Sequence, residues 1–138
     1  MKFFLEIITP ERLAYKDEVD MVIAPSAKGV VGILAHHVPL FSRLIEGEVK
    51  VMKGDDEYYL AIGGGFMEVT RERVSILVSR AVHAKELNEA EIKKAETRAL
   101  EAVKQGVTGV ELQQAQSQLR RSFFEMKVFR RHHRPLSA

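Results

Sequence analysis

Residues 74–92 read Val74-Ser75-Ile76-Leu77-Val78-Ser79-Arg80-Ala81-Val82-His83-Ala84-Lys85-Glu86-Leu87-Asn88-Glu89-Ala90-Glu91-Ile92, and the hydrophobic period changes within them. Up to Val78 apolar and polar residues largely alternate, which is strand spacing. From Ile92 onward Ala95, Ala99 and Ala102 follow at intervals of three or four, with Val103 four after Ala99, which is helix spacing. Upstream, Gly or Pro punctuates the chain at short intervals; downstream, no proline occurs before Pro135. The pattern predicts an α+β chain, with an N-terminal β-sandwich of about ten short strands over 1–83 and a C-terminal antiparallel two-helix hairpin over 84–138.

Charge divides along the same line. Residues 1–83 carry 10 Lys/Arg against 12 Asp/Glu, residues 84–109 carry 5 against 5, and residues 110–138 carry 6 against 2. The basic surplus therefore sits on the second helix, although the whole chain is only +2. So small a total does not argue for nucleic acid, and an aromatic content of 7 % offers few stacking platforms. A length of 138 residues with 46 % hydrophobic content suits one domain with an appendage. The absence of cysteine excludes disulfides and thiolate metal sites. No apolar run approaches the roughly 18 residues of a membrane span, and the N-terminus does not read as a leader.

Within 1–83, strand-like runs are expected at 3–8, 12–16, 20–24, 30–34, 43–45, 48–52, 57–62, 66–69 and 74–78. Lys53-Gly54-Asp55-Asp56 lies between two alternating runs and predicts a hairpin turn. Leu77 breaks the alternation of Val74, Ile76 and Val78, which predicts a last strand covered on both faces.

The first helix opens at Asn88 with Glu91 three residues on, the spacing of a capping box, and stops at Gly106. Thr108 and Glu111 repeat that spacing for the second helix. There Leu112, Ala115, Leu119, Phe123 and Met126 form the apolar stripe expected to pack against the first helix.

Gly63-Gly64-Gly65 precedes a strand pattern, not a helix N-terminus, so it reads as a close backbone approach and not as a phosphate cradle. Adjacent residues of a strand face opposite ways, so His36-His37 makes no ligand pair, and His132-His133 lacks a third ligand at a useful spacing. No Ser/His/Asp arrangement or paired carboxylates stand out, and neither enzyme nor cofactor is expected. Arg120, Arg121, Lys127, Arg130, Arg131 and Arg134 are a different matter. The helix macrodipole accounts for cations in the last turn only, whereas these span four turns and suit an acidic protein, phosphate-bearing or membrane surface.

The run Gly29-Val30-Val31-Gly32-Ile33-Leu34-Ala35-His36-His37-Val38-Pro39-Leu40 resembles the G-x-x-G-I-L-x-x-H-x-P-L motif of the ε subunits of bacterial and chloroplast F-type ATP synthases. Thr9-Pro10-Glu11-Arg12 after the first strand, Gly64-Gly65-Phe66-Met67-Glu68-Val69 and the terminal hairpin follow in family order, so the likeness covers residues 1–133. It implies a non-catalytic rotor subunit of a proton-translocating ATP synthase. The β domain would tie the γ subunit to the c-ring through Gly32, Ile33, Leu34, His36, His37, Pro39 and Leu40. The hairpin would be a movable inhibitor of ATP hydrolysis, with Arg120, Arg121, Lys127, Arg130 and Arg131 meeting acidic segments of the catalytic β and α subunits.

The implied location is peripheral, on the cytoplasmic side of a bacterial plasma membrane in preference to a thylakoid, with the membrane reached only through the complex. Family members that bind ATP carry Asp and Arg where this chain has Asn88 and Glu91. A carboxylate in the guanidinium's place repels phosphate, so no nucleotide is assigned. The alternative from the residues alone is a free-standing anionic-ligand or nucleic-acid binding module using the basic helix.

Overall fold

The computed structural model describes residues 1–133, which form two compact units, one from Met1 to Ala84 and one beginning at Lys85. Arg134 of the basic set and Pro135 lie outside the described residues. The first unit holds ten strands: β1 Phe3–Ile8, β2 Leu13–Val19, β3 Met21–Ser26, β4 Gly29–Leu34, β5 Leu40–Leu44, β6 Gly47–Lys53, β7 Asp56–Ile62, β8 Gly65–Val69, β9 Arg73–Val78 and β10 Ala81–His83. β10 was not expected; three residues are too few to display a period.

The strands run in the order β10-β7-β6-β3-β5-β8-β9-β1-β2, with β4 on the other side of β3. β1 and β9 pair in parallel, and the remaining pairs are antiparallel. A single bridge between Ser26 and Leu44 joins β3 to β5, and there the sheet turns back on itself. Two layers result, β10-β7-β6-β3-β4 and β5-β8-β9-β1-β2, enclosing one core. Leu5, Ile7, Met67, Val74 and Ile76 enter it from one layer and Val22, Ile33, Val49, Val51 and Leu60 from the other, all essentially without solvent contact. Alternate residues of each strand supply that core, as the period of two dictates.

The expected turn at Lys53 to Asp56 is present: Gly54 takes φ +60° and its N–H donates to the Asp20 carboxylate at 2.6 Å. At Gly65 an added Cβ would lie 2.0 Å from the Leu77 carbonyl oxygen, so β8 and β9 meet there too closely for any side chain. Leu77 corrects an expectation. It is 49 % exposed, and β9 buries only one face.

In the second unit α1 spans Glu89–Lys104 and α2 spans Gly109–His132, after a turn of 3-10 helix at Ala84–Glu86. The Asn88 side chain accepts the Glu91 N–H at 3.2 Å, the cap its position predicts. Gly106, at φ +80°, ends α1, its N–H donating to Val103 O at 3.1 Å while Val107 N–H donates to Ala102 O at 3.4 Å. The second capping box is not formed. Thr108 makes no side-chain cap bond, because Gly109 follows at φ +62°, outside the helical range that aims a cap at the next N–H groups.

The apolar stripe of α2 also differs from expectation. Ala115 and Met126 are buried and Leu112 and Leu119 half-buried, but Phe123 is 62 % exposed while Ser122 has no solvent contact. At about 100° per residue Ser122 lies roughly 20° from Ala115 around the helix and Phe123 roughly 80°. The small hydroxyl therefore takes the inner position, where Gln118 Nε2 donates to it at 3.1 Å, and the ring is left on the flank. On α1, Ile92 and Ala99 are buried, whereas Val103 at 40 % exposure falls outside the contact.

Candidate functional site

Pairing register assembles an apolar band on the outer face of the β5-β8-β9-β1-β2 layer. Leu13 pairs with Ile8, Ile8 with Leu77, and Leu77 with Phe66, so four strands place apolar side chains side by side. Phe41 of β5 extends the row, its ring stacked on that of Phe66 with centroids 5.4 Å apart. Leu13, Phe41, Phe66 and Leu77 are exposed and Ile8 half-buried. Single exposed apolar residues are ordinary; a contiguous band across five strands is the kind of patch that interaction surfaces present.

Beside the band lies a charged strip. Arg73 donates to Glu6 Oε1 at 2.8 Å and Ser75 Oγ donates to the same oxygen at 3.1 Å. Lys16 and Arg73 stand over the Phe4 ring at 5.6 Å and 5.1 Å. The hydrogen bond from Arg73 holds the Glu6 carboxyl below its usual range, against the opposing effect of burial.

The motif residues occupy one side of the sandwich. β4 pairs with β3 alone among the described strands, so its outer edge is open. Gly32 and Leu34 are exposed on it, and Ile33 is a core residue with 1 % exposure. The connection to β5 follows, with His36 and Pro39 exposed and His37 and Leu40 half-buried. His36 adopts φ +62°, uncommon for a side chain with a Cβ, and the His37 ring Nδ1 lies 2.7 Å from Val38 O. Val30 and Val38, both strongly exposed, extend this apolar surface.

On α2 the cations Arg120, Arg121, Lys127, Arg130 and Arg131 are all exposed. Arg120 Nη2 donates to Ser117 Oγ at 3.1 Å and Arg121 Nη1 to Gln118 Oε1 at 3.3 Å, local bonds that order the two guanidinium groups. Lys127, Arg130 and Arg131 line a groove of about 610 Å³ together with Lys93 and Glu96 of α1 and with Phe123 and Met126. Arg120 and Arg121 stand outside that groove. Asn88 and Glu91, where the resemblance sought nucleotide ligands, are joined to each other by the cap bond.

The sequence reading missed Ile8, Leu13, Phe41, Phe66 and Leu77 as surface residues. They are single residues of five strands, and only register brings them together.

Residues 2–84 match the family model described as ATP synthase, Delta/Epsilon chain, beta-sandwich domain. The chain is 38 % identical over 128 residues to the ATP synthase epsilon chain of Dehalococcoides mccartyi, covering 92 % of this chain and 91 % of that protein. It is 41 % identical over 128 residues to the ATP synthase epsilon chain of Herpetosiphon aurantiacus, covering 93 % and 94 %. To that of Chloroflexus aggregans it is 35 % identical over 132 residues, covering 96 % and 95 %. Among solved structures, a chain of the Euglena gracilis mitochondrial ATP synthase OSCP/F1/c-ring assembly superposes with TM-score 0.67 at 21 % identity, covering 93 % of this chain and 77 % of that one. A chain of the Tetrahymena thermophila mitochondrial ATP synthase central stalk and c-ring superposes with TM-score 0.63 at 15 % identity, covering 94 % and 97 %. At those identities the likeness is one of fold.

Proposed function

The chain belongs to the ATP synthase epsilon-chain family, and from that premise we propose that it is a non-catalytic central-stalk subunit of a proton-translocating F-type ATP synthase. In this reading the β-sandwich ties the γ subunit to the c-ring and the hairpin restrains ATP hydrolysis. The observation that carries it is the apolar band of Leu13, Ile8, Leu77, Phe66 and Phe41, too contiguous for a face that stays in water. The γ subunit is its proposed occupant. The open β4 edge and the connection bearing His36, His37 and Pro39 then meet the c-ring, with Gly32, Leu34 and Leu40 in support and Ile33 holding β4 to the core from behind.

Inhibition is assigned to the cations of α2, whose sign suits acidic surfaces of the catalytic β and α subunits. Membrane association follows from the assembly, since among the described residues no helix is long and apolar enough to cross a bilayer. The cytoplasmic face of a bacterial plasma membrane is the proposed location.

The test is co-elution with purified γ subunit in gel filtration, for the unmodified chain and for a variant carrying Phe41→Ser and Phe66→Ser. Both rings are exposed, so the variant should unfold at nearly the same denaturant concentration while losing the complex. Co-elution that survives both changes would remove the band from the γ interface.

A further inference from the structure

The exposure of Phe123 puts an aromatic ring where the sequence pattern places a buried one, and the ring borders a basic groove. Positions 123, 126, 127, 130 and 131 share one face of α2 by their spacings of three and four. Toward its N-terminal end that face is apolar, through Phe123 and Met126; toward its C-terminal end it is cationic, through Lys127, Arg130 and Arg131. Lys93 of α1 also lines it, but its ammonium is paired with the Glu89 carboxylate at 3.3 Å, and Glu96 is the single anion among the lining residues, so the positive surplus of the groove comes from Lys127, Arg130 and Arg131.

We propose that this groove docks the subunit on an anionic phospholipid surface, with headgroup phosphates among Lys127, Arg130 and Arg131 and the Phe123 ring lodged at the level of the glycerol and first acyl carbons. The contact would be additional to the one made through the assembly, and it would be made when the hairpin is not engaged with the catalytic subunits, since both contacts draw on Lys127, Arg130 and Arg131. A basic face adjoining an exposed aromatic is the arrangement by which peripheral helices lie on lipid, combining charge attraction with burial of a ring. Complementarity of charge alone would serve an acidic protein or a nucleic acid equally well. Two features favour lipid. Phe123 meets Phe124 edge-on, with centroids 5.4 Å apart and planes at 82°, which is no platform for successive stacked bases. Phe123 and Met126 give the groove an apolar end, which an amphiphile with a charged head would occupy and a uniformly charged acidic segment would leave unused.

The chain has no tryptophan, so Phe123→Trp installs a single emission reporter at the site. In the full-length chain its emission should move to the blue with phosphatidylglycerol vesicles, stay put with phosphatidylcholine vesicles, and revert as salt is raised. Unmodified chain should co-sediment with the same anionic vesicles. Changing Lys127, Arg130 and Arg131 to Gln should weaken that partition at least about tenfold. Arg98→Gln, on the opposite side of the α1–α2 seam, should leave it within about twofold. No blue shift and no co-sedimentation, or equal partition by the triple variant, would overturn the proposal. So would poly-glutamate or single-stranded DNA giving the same shift and displacing the vesicles at matched charge, which would assign the groove to an acidic protein or to nucleic acid.

Discussion

The Nε2 atom of His83 lies 2.7 Å from the carbonyl oxygen of Ala14, so it carries the ring proton and joins β10 to β2. Arg12 reinforces that seam by donating from Nη2 to the Ala81 carbonyl at 2.7 Å. Side chains thus close the sandwich where the backbone ladder does not, and the opposite side, at β4, stays open. The closed seam leaves the outer edge of β4 as the unpaired margin among the described strands of that layer.

Removing a cation that donates to a partly buried carbonyl costs about 1.5–3 kcal/mol. We therefore expect Arg12→Ala to lower the unfolding free energy of the β-sandwich by that amount and His83→Ala by about 1 kcal/mol, with the slope of a urea titration unchanged. Effects below about 0.3 kcal/mol would mean that the core holds β2 and β10 together without the seam.

Behind the seam Tyr15 stands between Tyr58 and His83, with ring centroids 5.9 Å and 6.3 Å away. Its hydroxyl oxygen is buried with no hydrogen-bond partner among the described residues, and burial, helped by Asp17, pushes its pKa up to about 12. The folded state thus keeps the phenol protonated where the unfolded chain, at about 10, has lost it. Because the folded pKa is the higher, this protonation favours the folded state below about pH 10, and the advantage is lost as pH rises through about 12. Tyr15→Phe removes an unsatisfied hydroxyl and should be neutral or stabilising by up to about 1 kcal/mol at pH 7. It should also flatten the loss of stability between about pH 10 and pH 12, read by denaturant titration at each pH. A variant destabilised by more than 1 kcal/mol at pH 7 would reveal a bound water or other partner on that oxygen.

The strand pattern was legible because inward residues such as Leu5, Ile7, Val49, Val51, Val74 and Ile76 recur at every second position. Leu77 departs from its reading for a physical reason: an apolar residue on an exposed face and one facing the core look alike in the sequence, and one strand in isolation cannot distinguish them. The band as a whole was not legible, since positions 8, 13, 41, 66 and 77 become neighbours only through pairing register. The spacing of 112, 115, 119, 123 and 126 places Phe123 on the inner stripe, yet Ser122, about 20° from Ala115 around the helix, takes the buried position and leaves the ring exposed. The basic surplus of α2 needed no structure to be seen. Its division between a groove and the helix outside it did.

The inhibitory role proposed for α2 should respond to charge in a graded way. Exposed ion pairs contribute about 0–1 kcal/mol each and weaken with salt, so one substitution should change little. Changing Arg120, Arg121, Arg130 and Arg131 together to Ala should raise ATP hydrolysis by the assembled enzyme toward that of an assembly whose subunit lacks the hairpin. Raising ionic strength should reproduce part of the effect in the unmodified complex. Hydrolysis that is unchanged in the quadruple variant would exclude the electrostatic mechanism and leave the family assignment as it stands.

Nucleotide binding by the isolated subunit should be weak or absent. The start of α1 offers a helix N-terminus, which favours anions, but Glu89 and Glu91 occupy its first turn and already satisfy the dipole. The Asn88 side chain is engaged as the cap of the Glu91 N–H, so presenting it to a ligand would cost the helix about 1 kcal/mol. Calorimetric titration of ATP should therefore give no resolvable heat with the unmodified chain. Glu91→Arg exchanges a repelling carboxylate for a bidentate phosphate donor while leaving the backbone N–H that Asn88 caps, and it should bring binding into the measurable range without loss of helix content. Tight binding by the unmodified chain would mean that cations of α2 hold the phosphates unaided; no gain from Glu91→Arg would mean that charge at this position is not what excludes the nucleotide.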